Sequence, residues 1–192
     1  SVECISWEGK HHFLAMTQKY TTGAPGFVET GHLEPAPISE LLLNRVKEIV
    51  FHALDSLGIR YGASHSELKI DDSGRVVLIE IGGRMGGDLI GSDLVPLSTG
   101  VDYVKAVIDV ALGKKPDVYA QERKAAAVRF VFAQEDIDIL NDIKRNHPQI
   151  LQKESVTSLF DHSVTDSSNR FGYYLLSSDN VSLLRHYMPI NK

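Results

Sequence analysis

Cysteine is almost absent from the 192-residue sequence, in which Cys4 is the only one. A single cysteine excludes an intrachain disulfide and a zinc site built on several cysteines, and it favours a reducing, cytoplasmic setting. No stretch approaches the roughly 18 consecutive apolar residues that a membrane span needs. The opening residues, Ser1 to Trp7, form no basic and then apolar leader, so they do not read as a signal peptide.

An excess of basic charge is also lacking, because 20 Lys and Arg stand against 25 Asp and Glu, which gives a formal net charge of -5. This balance argues against a nucleic-acid partner or an anionic membrane surface. Hydrophobic residues make up 43% and charged residues 23% of the chain, as in an ordinary globular protein that buries a core.

The residue patterns predict an α+β fold in which an antiparallel sheet with flanking helices is followed by a small C-terminal α+β domain. Lys114-Lys115-Pro116 marks the expected boundary, with one domain over 1–115 and the second over 116–192. The predicted elements of the first part are a hairpin over 2–17, a helix over 39–57, a hairpin over 64–81 and a helix over 101–112. Those of the second part are strands over 125–132, 152–160 and 171–177 and helices over 135–145 and 181–187.

The stretch 21–37 contains three Gly and three Pro and shows little periodicity. We therefore expect an irregular connection there, and long ordered connections are often functional.

The second hairpin carries two glutamates that alternation places on one face. If Leu68 and Ile70 share the core face with Val77, Ile79 and Ile81, Glu67 lies opposite Leu78 and Glu80 is its diagonal neighbour. Two ionised carboxylates so close repel each other unless a positive charge lies nearby.

Three explanations of this pair are open. Lys69 or Arg84 neutralises it, a divalent cation such as Mg²⁺ or Mn²⁺ binds there, or the face is a solvated surface with a structural ion pair. The pair alone does not favour the metal over the solvated surface.

A glycine-rich exit, Gly82-Gly83-Arg84-Met85-Gly86-Gly87-Asp88, follows Glu80 directly. Glycines let backbone amides approach a ligand closely, and the planar guanidinium of arginine suits phosphate oxygens. The segment is neither a Walker P-loop nor a dinucleotide-binding G-x-G-x-x-G. A carboxylate pair that leads into a glycine-flanked arginine indicates metal and phosphate binding at one place.

These segments resemble a known family. His65-Ser66-Glu67-Leu68-Lys69 and Leu78-Ile79-Glu80-Ile81-Gly82-Gly83-Arg84 are similar to the metal-binding strands and arginine turn of ATP-grasp ligases. Lys19-Tyr20-Thr21-Thr22-Gly23 and Phe27-Val28-Glu29-Thr30-Gly31-His32 are similar to the L-amino-acid ligase branch, and more distantly to biotin carboxylase. The resemblance covers residues 1 to about 113, as the second half of an ATP-grasp unit.

The resemblance implies particular roles. Glu67 and Glu80 would hold Mg²⁺ (or Mn²⁺) against the phosphates of ATP, and Arg84 would contact the transferred phosphoryl group as the catalytic arginine. The amides of Gly86 and Gly87 would contact the same phosphate.

Three further residues are implied to face the substrate pocket: Glu29, His32 and Asp88. His65 lies beside the metal face, where it could support a ligand.

The implied activity is ATP-dependent joining of a small-molecule carboxylate to an amine through an acyl-phosphate. Gly82 departs from the pattern, since many ATP-grasp enzymes have a metal-binding Asn there. The glycine-rich flap and phosphate-binding lysines of the family are also missing, so we expect a fragment of a larger ligase that is inactive alone.

The alternatives are a biotin carboxylase-like enzyme and a non-catalytic binding module. Whether the protein forms a homo-oligomer is left open.

Overall fold

The computed structural model describes residues 1–157 and 160–190. The strands are β1 (Val2–Trp7), β2 (Lys10–Met16), β3 (Gln18–Thr21), β4 (Glu29–Glu34), β5 (Gly62–Ile70), β6 (Val76–Gly82), β7 (Ala125–Phe130), β8 (Leu151–Val156) and β9 (Gly172–Ser178). The α-helices are α1 (Glu40–Ser56), α2 (Val95–Thr99), α3 (Tyr103–Ala111), α4 (Gln134–Asn146) and α5 (Val181–His186). The α+β class is confirmed, and the predicted strand over 152–160 is β8, although residues 158 and 159 lie outside the described residues.

Helix α1 has the boundaries that its end residues predict. The Ser39 hydroxyl accepts a hydrogen bond from the Leu42 amide at 3.3 Å, which caps the start and contributes about 1 kcal/mol. Gly58 follows the helix with a φ of 68°, a backbone conformation that favours glycine. The buried side chains recur every four residues along one face: Val46, Val50 and Leu54.

The chain divides into two compact units, and the first consists of Ser1–Thr17 and Ala36–Arg123. Its antiparallel sheet has the strand order β2-β1-β5-β6. Val2 and Cys4 of β1 pack with the buried face of α1. Ile5, which points to the opposite face, packs with residues of α2 and α3 such as Val95 and Tyr103. The sheet therefore has a core on each face.

The second unit consists of Gln18–Pro35 and the chain from Lys124 onward. Its antiparallel sheet has the order β3-β4-β7-β9-β8, and α4 and α5 contribute Leu140, Ile143 and Leu184 to its core. A buried ion pair joins Arg129 of β7 to Asp136 of α4, with the Arg129 Nη2 to Asp136 Oδ1 distance at 2.7 Å.

The stretch 21–37 is more regular than its sequence predicts, because β4 lies within it. β4 pairs with β7, almost a hundred residues later in the chain, and this partner is invisible in the local composition. The same pairing groups residues 18–35 with the C-terminal part of the chain, whereas the predicted boundary assigned them to the first domain.

Among the described residues, no helix is both long and apolar enough to cross a membrane.

Candidate active site in the first unit

The β5–β6 hairpin places its two glutamates directly opposite each other, with Glu67 facing Glu80. The register shifts between Glu67 and Leu68, so that Ile79 is the extra residue of a β-bulge. The prediction that Glu67 lies opposite Leu78, with Glu80 on the diagonal, is therefore wrong, because the two glutamates are direct cross-strand partners.

The turn explains this difference. Asp71 Oδ1 accepts hydrogen bonds from the amides of Ser73 at 2.9 Å and Arg75 at 3.0 Å, so Arg75 belongs to the turn and Ile70 pairs with Val76. Adding one residue to the turn moves β6 by one position, which turns the side chains of Val76, Val77 and Leu78 to the other face. The bulge at Ile79 then returns Glu80 and Ile81 to the faces that the sequence predicts.

The exposure of neighbouring side chains confirms the observed register. Val76 packs partly buried against the core next to α1, whereas Val77 is 42% and Ile79 is 54% exposed. The predicted core positions of Val77 and Ile79 are thus wrong. Both residues lie next to the glutamates on the hairpin, where they offer apolar surface beside charge.

Two glutamates that face each other directly favour a positive charge nearby. Residues directly opposite in an antiparallel pair have Cβ atoms about 4.5–5.5 Å apart, and like charges in this arrangement are destabilising. The Glu67 side chain is 33% exposed and Glu80 is exposed, so both carboxylates are open to an ion from solvent.

The donor set fits Mg²⁺ or Mn²⁺. Mg²⁺ is usually held by one or two carboxylates and completes its octahedral shell with water and substrate phosphates. In residues 1–157 and 160–190, no three or more His, Cys, Asp or Glu side chains cluster as a complete metal site. Two carboxylates are enough protein ligands for Mg²⁺ when a phosphate-bearing substrate and water supply the others.

The glycine-rich exit follows this pair. Arg84 is exposed, and its Nη1 donates a hydrogen bond to the Met85 carbonyl at 2.9 Å. The next two non-glycine residues, Asp88 and Leu89, have φ values of 50° and 68°. Such left-handed conformations cost about 1–3 kcal/mol each and occur often at functional sites.

A buried carboxylate that is not among the predicted site residues contacts this turn. Glu3 of β1 has no exposed surface, and its Oε1 is hydrogen-bonded to Nδ1 of His65. Its Oε2 accepts a hydrogen bond from the Gly86 amide at 2.9 Å. The sequence does carry one signal, since an acidic residue within the apolar run Val2-Glu3-Cys4-Ile5 must find partners when it is buried.

The Gly86 hydrogen bond alters one predicted role. The amide that was expected to contact phosphate donates to Glu3 instead, which argues against that contact. Gly86 is a close-packed residue, whereas the space where a Gly87 side chain would lie is open.

Glu3 also affects the ionisation of its neighbours. Burial, and secondarily the charge of Glu3, raises the pKa of the Cys4 thiol to about 12. The same two causes raise the pKa of Tyr103, whose hydroxyl donates to the Cys4 carbonyl at 2.7 Å. Neither group is ionised near neutral pH.

The other two predicted substrate residues belong to the second unit. Glu29 lies between two cations, 3.5 Å from Lys19 Nζ and 3.3 Å from Arg170 Nη2. His32 is fully buried, with its ring edge-on to Phe130 at 5.6 Å. The structure thus pairs Glu67 with Glu80, has Arg84 and Asp88 in the turn that follows β6, and has Glu29 and His32 on β4.

Comparison with known proteins finds a domain family that matches the N-terminal part of the chain. Residues 1–93 match the model of the ATP-grasp domain family. The resemblance to ATP-grasp ligases is thus confirmed for this part of the chain, which contains the glutamate pair and the arginine turn.

Particular relatives are similar to the chain over different lengths. Alanine–anticapsin ligase of Bacillus subtilis is 29% identical over 120 residues, which cover 62% of this chain and 25% of the ligase. The L-amino acid ligase of Bacillus licheniformis has a TM-score of 0.78 and 24% identity, covering 97% of this chain and 50% of its own. Biotin carboxylase from Campylobacter jejuni has a TM-score of 0.64 and 15% identity, covering 93% and 41%. The chain thus spans about a quarter of its curated relatives and half of the ligase structure.

Proposed function

We propose that the protein containing this chain is an ATP- and Mg²⁺-dependent ligase that joins a carboxylate to an amine through an acyl-phosphate. The observation that carries the proposal is the direct pairing of Glu67 with Glu80 beside the exposed Arg84, within the segment that matches the ATP-grasp domain. Metal and phosphate binding explain why two carboxylates and a guanidinium lie exposed at one end of a hairpin.

Each residue has a distinct role in this proposal. Glu67 and Glu80 hold Mg²⁺, which offsets charge on the phosphate oxygens of ATP. Arg84 binds the phosphoryl group as it passes to the carboxylate, because its planar fork of donors matches phosphate geometry. Val77 and Ile79 present apolar surface to the nucleotide beside these groups.

The substrates follow from the relatives and from charge. Alanine–anticapsin ligase and the L-amino acid ligase act on amino acids by name. We propose Asp88, in the first unit, as a substrate-binding residue, because a carboxylate suits the amino group of such a substrate. Glu29 and His32, on β4 of the second unit, are also proposed to bind substrate. For Glu29 this requires an incoming cation to compete with Lys19 and Arg170.

The experiment is ADP release by the intact protein, supplied with MgATP and pairs of amino acids. We expect ADP to form only when a carboxylate and an amine are both present, together with the peptide product. Glu80→Gln and Arg84→Lys should each lower kcat/KM at least a hundredfold, which is about 2.7 kcal/mol in the activation barrier. Glu48→Gln, which alters an exposed glutamate of α1, is the control and should leave the rate unchanged.

Two other results would redirect the proposal. ATP cleavage that depends on bicarbonate, without any amine, would favour the carboxylase. The absence of turnover with every pair would favour the non-catalytic module, for which Gly82 in place of a metal ligand is the supporting observation.

Calorimetric titration of MgATP separates the module from an enzyme whose substrates are still unknown. The enzyme should bind MgATP and lose affinity in Glu80→Gln, whereas equal binding by both forms would support the module.

The 192 residues alone provide a further check. Because they span half of the ligase structure, we expect this chain by itself to show no measurable ATPase. Robust ATP hydrolysis by the isolated chain would contradict that expectation.

A further inference from the structure

Glu3 is buried in an otherwise apolar strand, and its two oxygens have different partners. Oε1 is hydrogen-bonded to His65 Nδ1 on β5, and Oε2 accepts from the Gly86 amide in the glycine-rich turn, 2.9 Å away. One carboxylate therefore joins three segments of the first unit that are distant in sequence. A buried carboxylate is costly unless its oxygens are satisfied, so its bonding partners are held firmly in place.

Each of these links leads to a proposed ligand-binding group. His65 uses its other ring nitrogen, Nε2, to reach Glu67 Oε1 at 3.3 Å. Gly86 follows Met85, whose carbonyl accepts a hydrogen bond from the Arg84 guanidinium. Glu3 is thus linked to Glu67 through one residue, His65. It is linked to the Arg84 turn through Gly86, which lies two positions after Arg84.

Glu3 and the turn are closely packed against each other at Gly86. A Cβ atom on Gly86 would lie 2.6 Å from Glu3 Oε1 and 2.9 Å from His65 Nδ1. The backbone at Gly86 therefore rests directly on the hydrogen-bonded pair, and a displacement of Glu3 or His65 moves the turn.

We propose that Glu3 is a positioning residue, which orients Glu67 through His65 and fixes the Arg84 turn through the Gly86 amide. This inference rests on the proposed function, since it concerns the metal and phosphate site. Groups that hold a metal ligand from behind set its orientation, and their loss typically lowers metal affinity about 10–100-fold. Glu3 touches neither metal nor nucleotide in this scheme.

The test compares two buried carboxylates by the same substitution. Glu3→Gln keeps the size of the side chain and removes one acceptor and the charge. Asp136→Asn does the same in the second unit, where Asp136 Oδ1 binds Arg129 and Oδ2 accepts from the Phe132 amide at 2.8 Å. Asp136 is therefore a matched control with a structural role only.

The measurement is Mn²⁺ affinity of the intact protein with ATP, read by electron paramagnetic resonance, alongside denaturant unfolding of each variant. We expect Glu3→Gln to raise the Mn²⁺ dissociation constant at least tenfold. Asp136→Asn should change it less than twofold even if it lowers the unfolding midpoint as much. Equal Mn²⁺ affinity in Glu3→Gln and the wild type would overturn the proposal.

A second variant keeps the test decisive if Glu3→Gln does not fold. His65→Gln breaks the link to Glu67 and leaves the buried carboxylate in place, and we expect it to weaken Mn²⁺ binding about tenfold. Unchanged affinity in that variant would equally overturn the proposal. A wild-type protein that binds no Mn²⁺ with ATP would instead refute the proposed function itself, and the positioning role with it.

Discussion

Gly86 shows how a single hydrogen atom in place of a side chain can determine local structure. If Gly86 carried a Cβ atom, that atom would lie 2.6 to 3.1 Å from atoms of Glu3, His65 and Ile90. Close packing thus requires glycine at position 86, whereas the space around Gly87 would admit a side chain.

We predict that Gly86→Ala destabilises the protein by about 1–3 kcal/mol, because the added methyl group overpacks a site that cannot expand freely. Gly87→Ala is the control, since no atom lies within 4 Å of its Cβ position. Urea unfolding of both variants measures the difference. Similar stability for the two would contradict the close contact at Gly86.

Cys4 provides a second prediction at this scale. Its thiol is fully buried and its pKa is raised to about 12, so almost no thiolate forms at pH 8. The native protein should therefore react with Ellman's reagent many times more slowly than the denatured chain, which releases one equivalent at once. Rapid reaction of the folded protein would show that β1 is more open than described.

Residue types and spacing single out Glu67, Glu80 and Arg84 as candidates, because acids on paired strands and an arginine between glycines are chemically distinctive. Glu3 could not be assigned its partners in this way. They lie 62 and 83 residues along the chain, at His65 and Gly86, and only the folded sheet brings them together.

At the scale of elements, β6 shows that a strand can be recognised while its register is missed. The hydrophobic alternation located both strands of the hairpin, but Arg75 joined the turn and Ile79 formed a bulge, which local patterns do not specify. The pairing of β4 was missed for a related reason, since its partner β7 is remote in sequence.

The register can be tested with two adjacent valines of β6. Val76→Thr places a hydroxyl against the core beside α1 and should cost about 1–2 kcal/mol. Val77→Thr, at an exposed position, should change stability by less than about 0.5 kcal/mol. Thermal or urea unfolding measures both variants. A larger loss of stability in Val77→Thr than in Val76→Thr would support the register that the sequence predicts.

At the scale of the whole molecule, each unit has hydrophobic clusters drawn from its own residues. Leu54 belongs to a cluster of the first unit and Leu184 to that of the second, and both side chains are fully buried. The sequence predicts a boundary near residue 115, and the grouping of residues 18–35 with the chain from Lys124 onward could not be foreseen from local signals.

We predict that Leu54→Ala and Leu184→Ala each lower the free energy of unfolding by about 2–5 kcal/mol, through lost burial and a residual cavity. Leu41→Ala, at a position of α1 that is 83% exposed, is the control and should have little effect. Amide hydrogen exchange should accelerate most in the sheet of the unit that carries the substitution. Equal acceleration in both sheets would argue against separate cores.

Residues 18–35 contribute β3 and β4 to the second sheet, and this has a consequence for synthesis of the chain. β4 ends at Glu34 and its partner β7 begins at Ala125, so about 90 residues must be translated between them. At roughly 5–20 residues per second, the β3–β4 hairpin waits several seconds on the ribosome with one edge unpaired. The first unit can meanwhile complete its own sheet, which makes β4 the segment that a nascent-chain chaperone would be expected to shield.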